Sequence, residues 1–295
     1  MELLSALAFL VIDIDIDPTL ADIGPFTLTW HGLFTAVGII AGVSLSVWLG
    51  KRDGIPAEFG QEIALVGVPC AIVGARLFFV IEHWDDFSND IPGIVFDITE
   101  GGITLYGGLI GGALGGLAYG IWRKWPAAIG LDAAAPGMIL GQGIGRIGDL
   151  INGEHLATHS DLPWAVRYVH PDTLGEIGQA VHPTAGGYEL IGDLVILALL
   201  LFVARRWVRV PGWSFCFYVI SYGVMRFFLS EFRIDEQTAW DIPMPQITSA
   251  VVVAIAVMAA GLLLRHPGPI TREWRERMFP AGPPPAQAAS SAGAG

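Results

Sequence analysis

The run TWHGLFTAVGIIAGVSLSVWL, Thr29 to Leu49, contains no charged side chain and is followed at once by Lys51 and Arg52. An α-helix needs about 20 mostly apolar residues to cross a hydrocarbon core roughly 30 Å thick, and short loops left on the cytoplasmic side collect Lys and Arg. This stretch therefore predicts a transmembrane helix that enters from outside and ends inside. Six further runs predict the same: Gln61 to Ile81, Ile103 to Trp122, Leu131 to Ile151, Tyr188 to Ala204, Trp213 to Leu229 and Gln246 to Leu264. The fold class is then an all-α membrane protein, a bundle of about seven transmembrane helices. Leu131 to Ile151 is the weakest of these runs, being rich in Gly and carrying Arg146 and Asp149. It predicts a broken or re-entrant helix whose backbone faces protein rather than lipid.

The charges set the topology. Lys51, Arg52, Arg123, Lys124, Arg205, Arg206, Arg209, Arg265, Arg272, Arg275 and Arg277 all follow odd-numbered spans, eleven of the sixteen basic residues, so they mark one side as cytoplasmic. Asp13, Asp15, Asp17, Asp22, Glu82, Asp85, Asp86, Asp90, Asp97 and Glu100 lie on the other. The N-terminus is expected outside and the C-terminus inside. Residues 1–28 form an extracytoplasmic segment with no basic start of the kind a secretory signal peptide has. Residues 29–266 form the seven-span domain, with outer loops at 82–102, 152–187 and 230–245. Residues 267–295, rich in Pro, Ala, Ser and Gly, form a disordered cytoplasmic tail.

Composition agrees with the class: 53% hydrophobic, 15% charged, mean hydropathy +0.56. The net charge of −12 argues against nucleic acid as a partner, because phosphate backbones demand clustered Lys and Arg. Cys70 and Cys216 both fall within spans, too few and too buried for a disulfide framework or a Cys-ligated metal. Trp30, Trp84, Trp122, Trp125 and Trp213 lie near span ends and read as interfacial anchors.

Five arginines are left unexplained by topology: Arg76, Arg146, Arg167, Arg226 and Arg233. An ionisable group at membrane depth costs at least ~2.5 kcal/mol on insertion scales, so it faces a bundle interior and marks a functional path. Arg146 and Arg226 are the strongest cases, since guanidinium forks suit a phosphate and the phosphate nearest to hand belongs to a lipid. The structural alternative pairs Arg146 with Asp149 or Glu154, and Arg226 with Glu231. Arg76, near the outer end of its span, is read either as part of this site or as snorkelling to headgroups. Arg233 is read as an interfacial ion pair with Asp235 and Glu236.

The run Gly145-Arg146-Ile147-Gly148-Asp149-Leu150-Ile151-Asn152-Gly153-Glu154 resembles the signature Gly-Arg-x-Gly-Asn-Phe-x-Asn-Gly-Glu of bacterial prolipoprotein diacylglyceryl transferases. Trp30-His31-Gly32, Gly74-Ala75-Arg76, Gly101-Gly102, Gly107-Gly108, Asp161-Leu162-Pro163-Trp164, His182-Pro183 with Tyr188-Glu189, and Tyr222-Gly223-Val224-Met225-Arg226 are similar to that family too. The resemblance implies an enzyme of the bacterial plasma membrane. It would move the diacylglyceryl group of phosphatidylglycerol to the lipobox cysteine thiol of a preprolipoprotein and release glycerol phosphate, with no cofactor. It implies that Arg146 and Arg226 hold the phosphate and that Asp149, Asn152, Gly153, Glu154, Arg76, Tyr188 and Glu189 shape the headgroup site.

Several positions depart from the pattern. Tyr106 stands where the family has His in Phe-His-Gly-Gly, and His31 stands where it has Tyr in His-Trp-Tyr-Gly. One reading has His31 and Tyr106 facing each other across a central cavity, both catalytic. The other makes His31 an interfacial histidine. Asp149 replaces Asn, Ala157 replaces Gly, Ser230 takes the place of a Glu now shifted to Glu231, and the His182 to Glu189 segment has one residue more than the family's. Asp149, three residues after Arg146, would compete with a lipid phosphate for its guanidinium. The remaining histidines lack metal-like spacing, and His155 beside Glu154 is the alternative base. Three functions stay open: the transferase, a non-catalytic lipid-binding relative of the same fold, and a membrane transporter using Arg146 and Arg226 to bind solute.

Overall fold

The computed structural model describes residues 11–24, 26–87, 104–125, 127–154, 156–207, 210–235 and 242–265. Seven principal helices are present: α1 (Trp30–Arg52), α2 (Ala57–Glu82), α3 (Leu105–Trp122), α4 (Ala127–Asn152), α5 (Leu190–Leu199), α6 (Trp213–Leu229) and α7 (Met244–Arg265). α5 is the middle of a longer rod that opens with a wide π turn, Thr184–Glu189, and runs on through Leu200–Ala204. Six of these rods are long and apolar enough to cross a membrane, and the apolar part of α3, Ile110–Trp122, is shorter. The chain is thus an all-α, multi-pass membrane protein. The tail, the N-terminal ten residues and most of the 82–102 loop fall outside the described residues, as does the side chain of Tyr106.

Local sequence explains the boundaries. Thr29 caps α1 by accepting the Gly32 N–H at 3.1 Å, and Lys51 and Arg52 close its last turn, where cations favour the helix dipole. The Asp132 carboxylate caps α6 from another helix, accepting the N–H of Gly212 at 2.7 Å and of Phe215 at 3.0 Å.

α4 corrects the expectation of a broken span. It is one unbroken helix through Pro136, and its backbone does face protein, with Ala135 and Ile139 fully buried. The glycines that made it look weak are its packing surface. A Cβ on Gly38 of α1 would lie 2.5 Å from the Gly141 carbonyl oxygen, and Gly42 and Gly137 meet in the same way. Such close backbone approach is how small residues join helices when lipid removes the hydrophobic drive between them. Gly74, Gly107 and Gly111 join α2 to α3 likewise, and α6 packs on α7.

The basic span ends gather at one end of the bundle. Arg205 binds Asp53 at 2.6 Å and the Asp132 carbonyl at 2.6 Å, Arg123 pairs with Glu62 at 3.2 Å, and Leu263 of α7 lies against Gly212. The opposite end carries β structure that the helical reading did not anticipate. Strands β1 (Ile12–Ile14), β4 (Val166–Tyr168) and β5 (Ala180–Val181) form a sheet in the order β1-β4-β5, while β2 (Thr19–Ile23) and β3 (Phe26–Thr29) form a hairpin leading into α1.

Candidate active site

The site is built at the β-sheet end from the first turn of α1, the last turns of α4 and α6, and the π turn before α5. Gly148 lets the first two meet, because a Cβ there would collide with the His31 backbone. The His31 ring then reaches α4 and donates from Nδ1 to Asp149 Oδ1 at 2.6 Å, with Glu154 Oε2 at 3.4 Å. Its Nε2 lies 3.5 Å from the Thr35 hydroxyl. Two positions that depart from the family pattern, His31 and Asp149, are therefore bonded to each other. The expected encounter of His31 with Tyr106 lies outside the described residues, and so does His155.

Arg146 bridges two carboxylates, Asp149 Oδ2 at 2.8 Å and Glu189 Oε2 at 2.6 Å, and Tyr222 accepts from its Nη2 at 3.5 Å. Glu189 is fully buried and is the hub of the cluster. Its Oε1 lies 3.2 Å from Arg233 Nη1 and 3.7 Å from Arg226 Nη1. Asp235 then ties Arg226 to Arg233, at 3.3 Å and 3.4 Å. Competition by Asp149 for the Arg146 guanidinium is thus present. The pairing of Arg226 with Glu231 is not: Arg226 meets Asp235 and Glu189 instead, while Glu231 accepts from Gln246 Nε2 of α7.

Arg233 forms the expected ion pair with Asp235, at 3.4 Å, and Glu189 joins it at 3.2 Å. It is buried, and that burial presses the guanidinium below its ordinary value, with Glu189 opposing. Arg76 is also buried, with its guanidinium over the rings of Phe79 at 5.6 Å and Phe87 at 5.1 Å. Tyr188 turns away from its neighbour Glu189. Its hydroxyl accepts from Trp164 Nε1 at 2.9 Å and donates to His182 Nδ1 at 3.2 Å. Arg167, the fifth unexplained arginine, forms an exposed bidentate pair with Asp13.

The extra residue in the His182 to Glu189 segment has a structural counterpart. Thr184–Glu189 is wound as a π turn, closed by the Tyr188 N–H to the Pro183 carbonyl at 2.9 Å. A π turn is how a helix absorbs one inserted residue without rotating the turns beyond it. Glu189 is thereby kept facing Arg146. Gly153, at φ +74°, turns the chain after α4 beside Thr173 and Gly175, so that the Asn152 amide donates to Glu154 Oε1 at 3.1 Å.

The buried polar atoms here with no hydrogen-bond partner among the described residues include Arg226 Nη1 and Asn152 Oδ1. Another group, Asp193 on α5, is fully buried with both oxygens unpartnered, one turn beyond Glu189. The rule that singled out arginines within spans applies equally to this aspartate and would have found it. His31, Asp149 and Glu154 also place three potential metal-ligand atoms within 4.8 Å of one another. The second oxygen of Asp149 is held by Arg146, a cation that opposes a divalent ion at that spot.

The profile of the prolipoprotein diacylglyceryl transferase family matches residues 18–262. Three proteins named phosphatidylglycerol-prolipoprotein diacylglyceryl transferase are similar over most of their length. The one from Finegoldia magna is 35% identical across 81% of this chain and 90% of its own. That from Gloeobacter violaceus is 35% identical across 83% and 91%, and that from Corynebacterium glutamicum 36% identical across 77% and 78%. Similarity on this scale spans all seven helices and the charged cluster between them, and it makes the chain a member of the prolipoprotein diacylglyceryl transferase family.

Proposed function

We propose that this chain transfers the diacylglyceryl group of phosphatidylglycerol to the cysteine thiol of a preprolipoprotein, at the outer face of the bacterial plasma membrane. The observation that carries the reading is the buried group of Arg146, Arg226 and Arg233 around Glu189, with a donor of Arg226 unused. The site lies at the end of the bundle opposite the basic loops. By the distribution of Lys and Arg, residues 1–28 then lie outside and residues 267–295 inside.

The reaction is a displacement at carbon. The thiol sulfur bonds to the glycerol carbon that carries the phosphate, and the carbon–oxygen bond breaks with its electron pair on the phosphate oxygen. Charge grows on that oxygen, so donors aimed at it in a dry site lower the barrier. Arg146 and Arg226 fill this role, and Asn152, Gly153, Glu154, Glu189 and Asp149 fix their placement and the headgroup's. His31 Nε2 takes the thiol proton while Asp149 holds Nδ1, an arrangement that sets the tautomer and stabilises the imidazolium. The proton leaves on glycerol phosphate. Tyr106 and Arg76 are expected to act with this group, as the resemblance implies, and Tyr188 lines the groove beside it.

A non-catalytic lipid-binding role is the second reading, favoured by the grip of Asp149 on Arg146 at 2.8 Å. The two separate in one assay. Purified protein in phosphatidylglycerol micelles is given a lipobox peptide, and glycerol phosphate release and peptide mass are followed for wild type and Arg146→Ala. Release matched by a diacylglyceryl mass gain, and lost in Arg146→Ala, is the expected result. Lipid binding without release by wild type would leave only the second reading.

A further inference from the structure

We propose that strand β1 and the apolar groove beneath it are the docking site for the polypeptide substrate, which binds as an added β-strand. The inference rests on the transferase reading for the identity of the peptide.

β1 is an edge strand. Its inner edge is used by β4, with the Ile12 N–H bonded to the Ala165 carbonyl at 2.9 Å and the Ile14 carbonyl accepting the Val169 N–H at 3.1 Å. In a strand the next residue points its N–H and C=O the opposite way, so those of Asp13 face outward. No strand covers that edge among the described residues. Side chains alternate as well. Asp13 joins Arg167 on one face of the sheet, while Ile12, Ile14 and Ile16 line a groove of about 520 Å³ on the other. The rest of the groove is apolar or aromatic, with Leu150, Trp164 and Tyr188 among its walls.

The groove and the charged cluster share two elements, α4 and the π turn. Leu150 follows Asp149 on α4, and Tyr188 precedes Glu189, so the two walls that meet the groove also carry carboxylates of the site. The outward-facing N–H and C=O of Asp13 beside an apolar trough fit an extended peptide, because main-chain bonds supply affinity and alternate side chains enter the trough. An acyl chain would fill the trough but leave the edge bare. A secreted precursor presents the matching chemistry, an apolar segment followed by small residues at the processing site. Such a segment along β1 would hold its cysteine beside His31 and the arginines.

The test uses the full-length protein in phosphatidylglycerol nanodiscs and a fluorescein-labelled leader peptide whose cysteine is replaced by serine, read by anisotropy without turnover. Peptides N-methylated at single backbone amides are compared in turn, together with Ile12→Lys and Ile16→Lys, which alter exposed side chains. One main-chain bond or one apolar anchor is worth up to about a factor of ten. The expected result is a loss of about ten-fold at the N-methylated position that pairs with Asp13, with little change at its neighbours, and a similar loss in both variants. In the turnover assay with the cysteine peptide, both variants should raise the KM for peptide and leave the KM for phosphatidylglycerol unchanged. A flat N-methyl profile, or variants that raise the lipid KM instead, would overturn the proposal. Because anisotropy needs no turnover, failure of the transferase reading would show separately as absent glycerol phosphate release.

Discussion

The two ends of the helix bundle each hold a network of arginines and carboxylates and use it differently. At the basic end, Asp132 accepts two backbone N–H groups, and Arg205 spends its donors on Asp53 and the Asp132 carbonyl. That network caps a helix and ties the turn after α1 and the connection between α5 and α6 to α4. At the other end, three arginines crowd one buried carboxylate, and Arg226 Nη1 and Asn152 Oδ1 are left without a hydrogen bond. Buried polar groups are normally satisfied, and the exceptions call for an explanation. The difference teaches that satisfied charge marks structure here, while charge with spare bonding capacity marks the place of a ligand.

Variants can break that contrast. The largest effect is expected for His31→Ala, which removes the proposed base and should cut glycerol phosphate release by about 10²- to 10⁴-fold. Asp149→Asn should cost less and move the pH–rate profile, since the imidazole would lose its carboxylate but keep Glu154 nearby.

Gly141→Leu tests the scaffold beneath the site. The side chain would drive into the Gly38 carbonyl region of α1, and overpacking of this kind costs about 1–3 kcal/mol. A lower melting temperature in detergent, with both ends of the bundle loosened, is the outcome to look for. Asp132→Ala should cost about 0.5–2 kcal/mol as a lost helix cap, and turnover of the protein that remains folded should be unchanged.

The smallest effect is expected for Asp13→Asn. The Arg167 guanidinium holds the Asp13 carboxyl below the usual carboxylate range. Its contribution is therefore complete above the ordinary carboxylate value and is lost as pH falls through the lowered one. The pair is exposed, so added salt should erase most of the difference in melting temperature at neutral pH.

The helices were legible in the sequence because their signal is local: each apolar run and its basic flank fall within one window. The weak reading of α4 came from counting its glycines as breaks, when their partners on α1 lie about a hundred residues away. The β-sheet was missed although Ile12, Ile14 and Ile16 alternate with aspartates, a two-residue period that reads as a strand. Arg146 and Arg226 stood out as charges inside apolar runs. Their carboxylate partner did not, because Glu189 and Arg233 meet only through the fold. The one-residue insertion before Glu189 was visible, but that a π turn absorbs it is a property of backbone geometry, not of composition.

The central claim is best tested by measuring turnover and melting temperature together on two variants, Arg226→Ala and Arg205→Ala. Arg226→Ala should lose glycerol phosphate release by about 10²-fold or more with a modest change in melting temperature. Arg205→Ala should melt earlier and keep its turnover. If both variants lose stability and activity in parallel, or if Arg226→Ala stays active, the distinction between the two ends is wrong and the arginine cluster is a structural device.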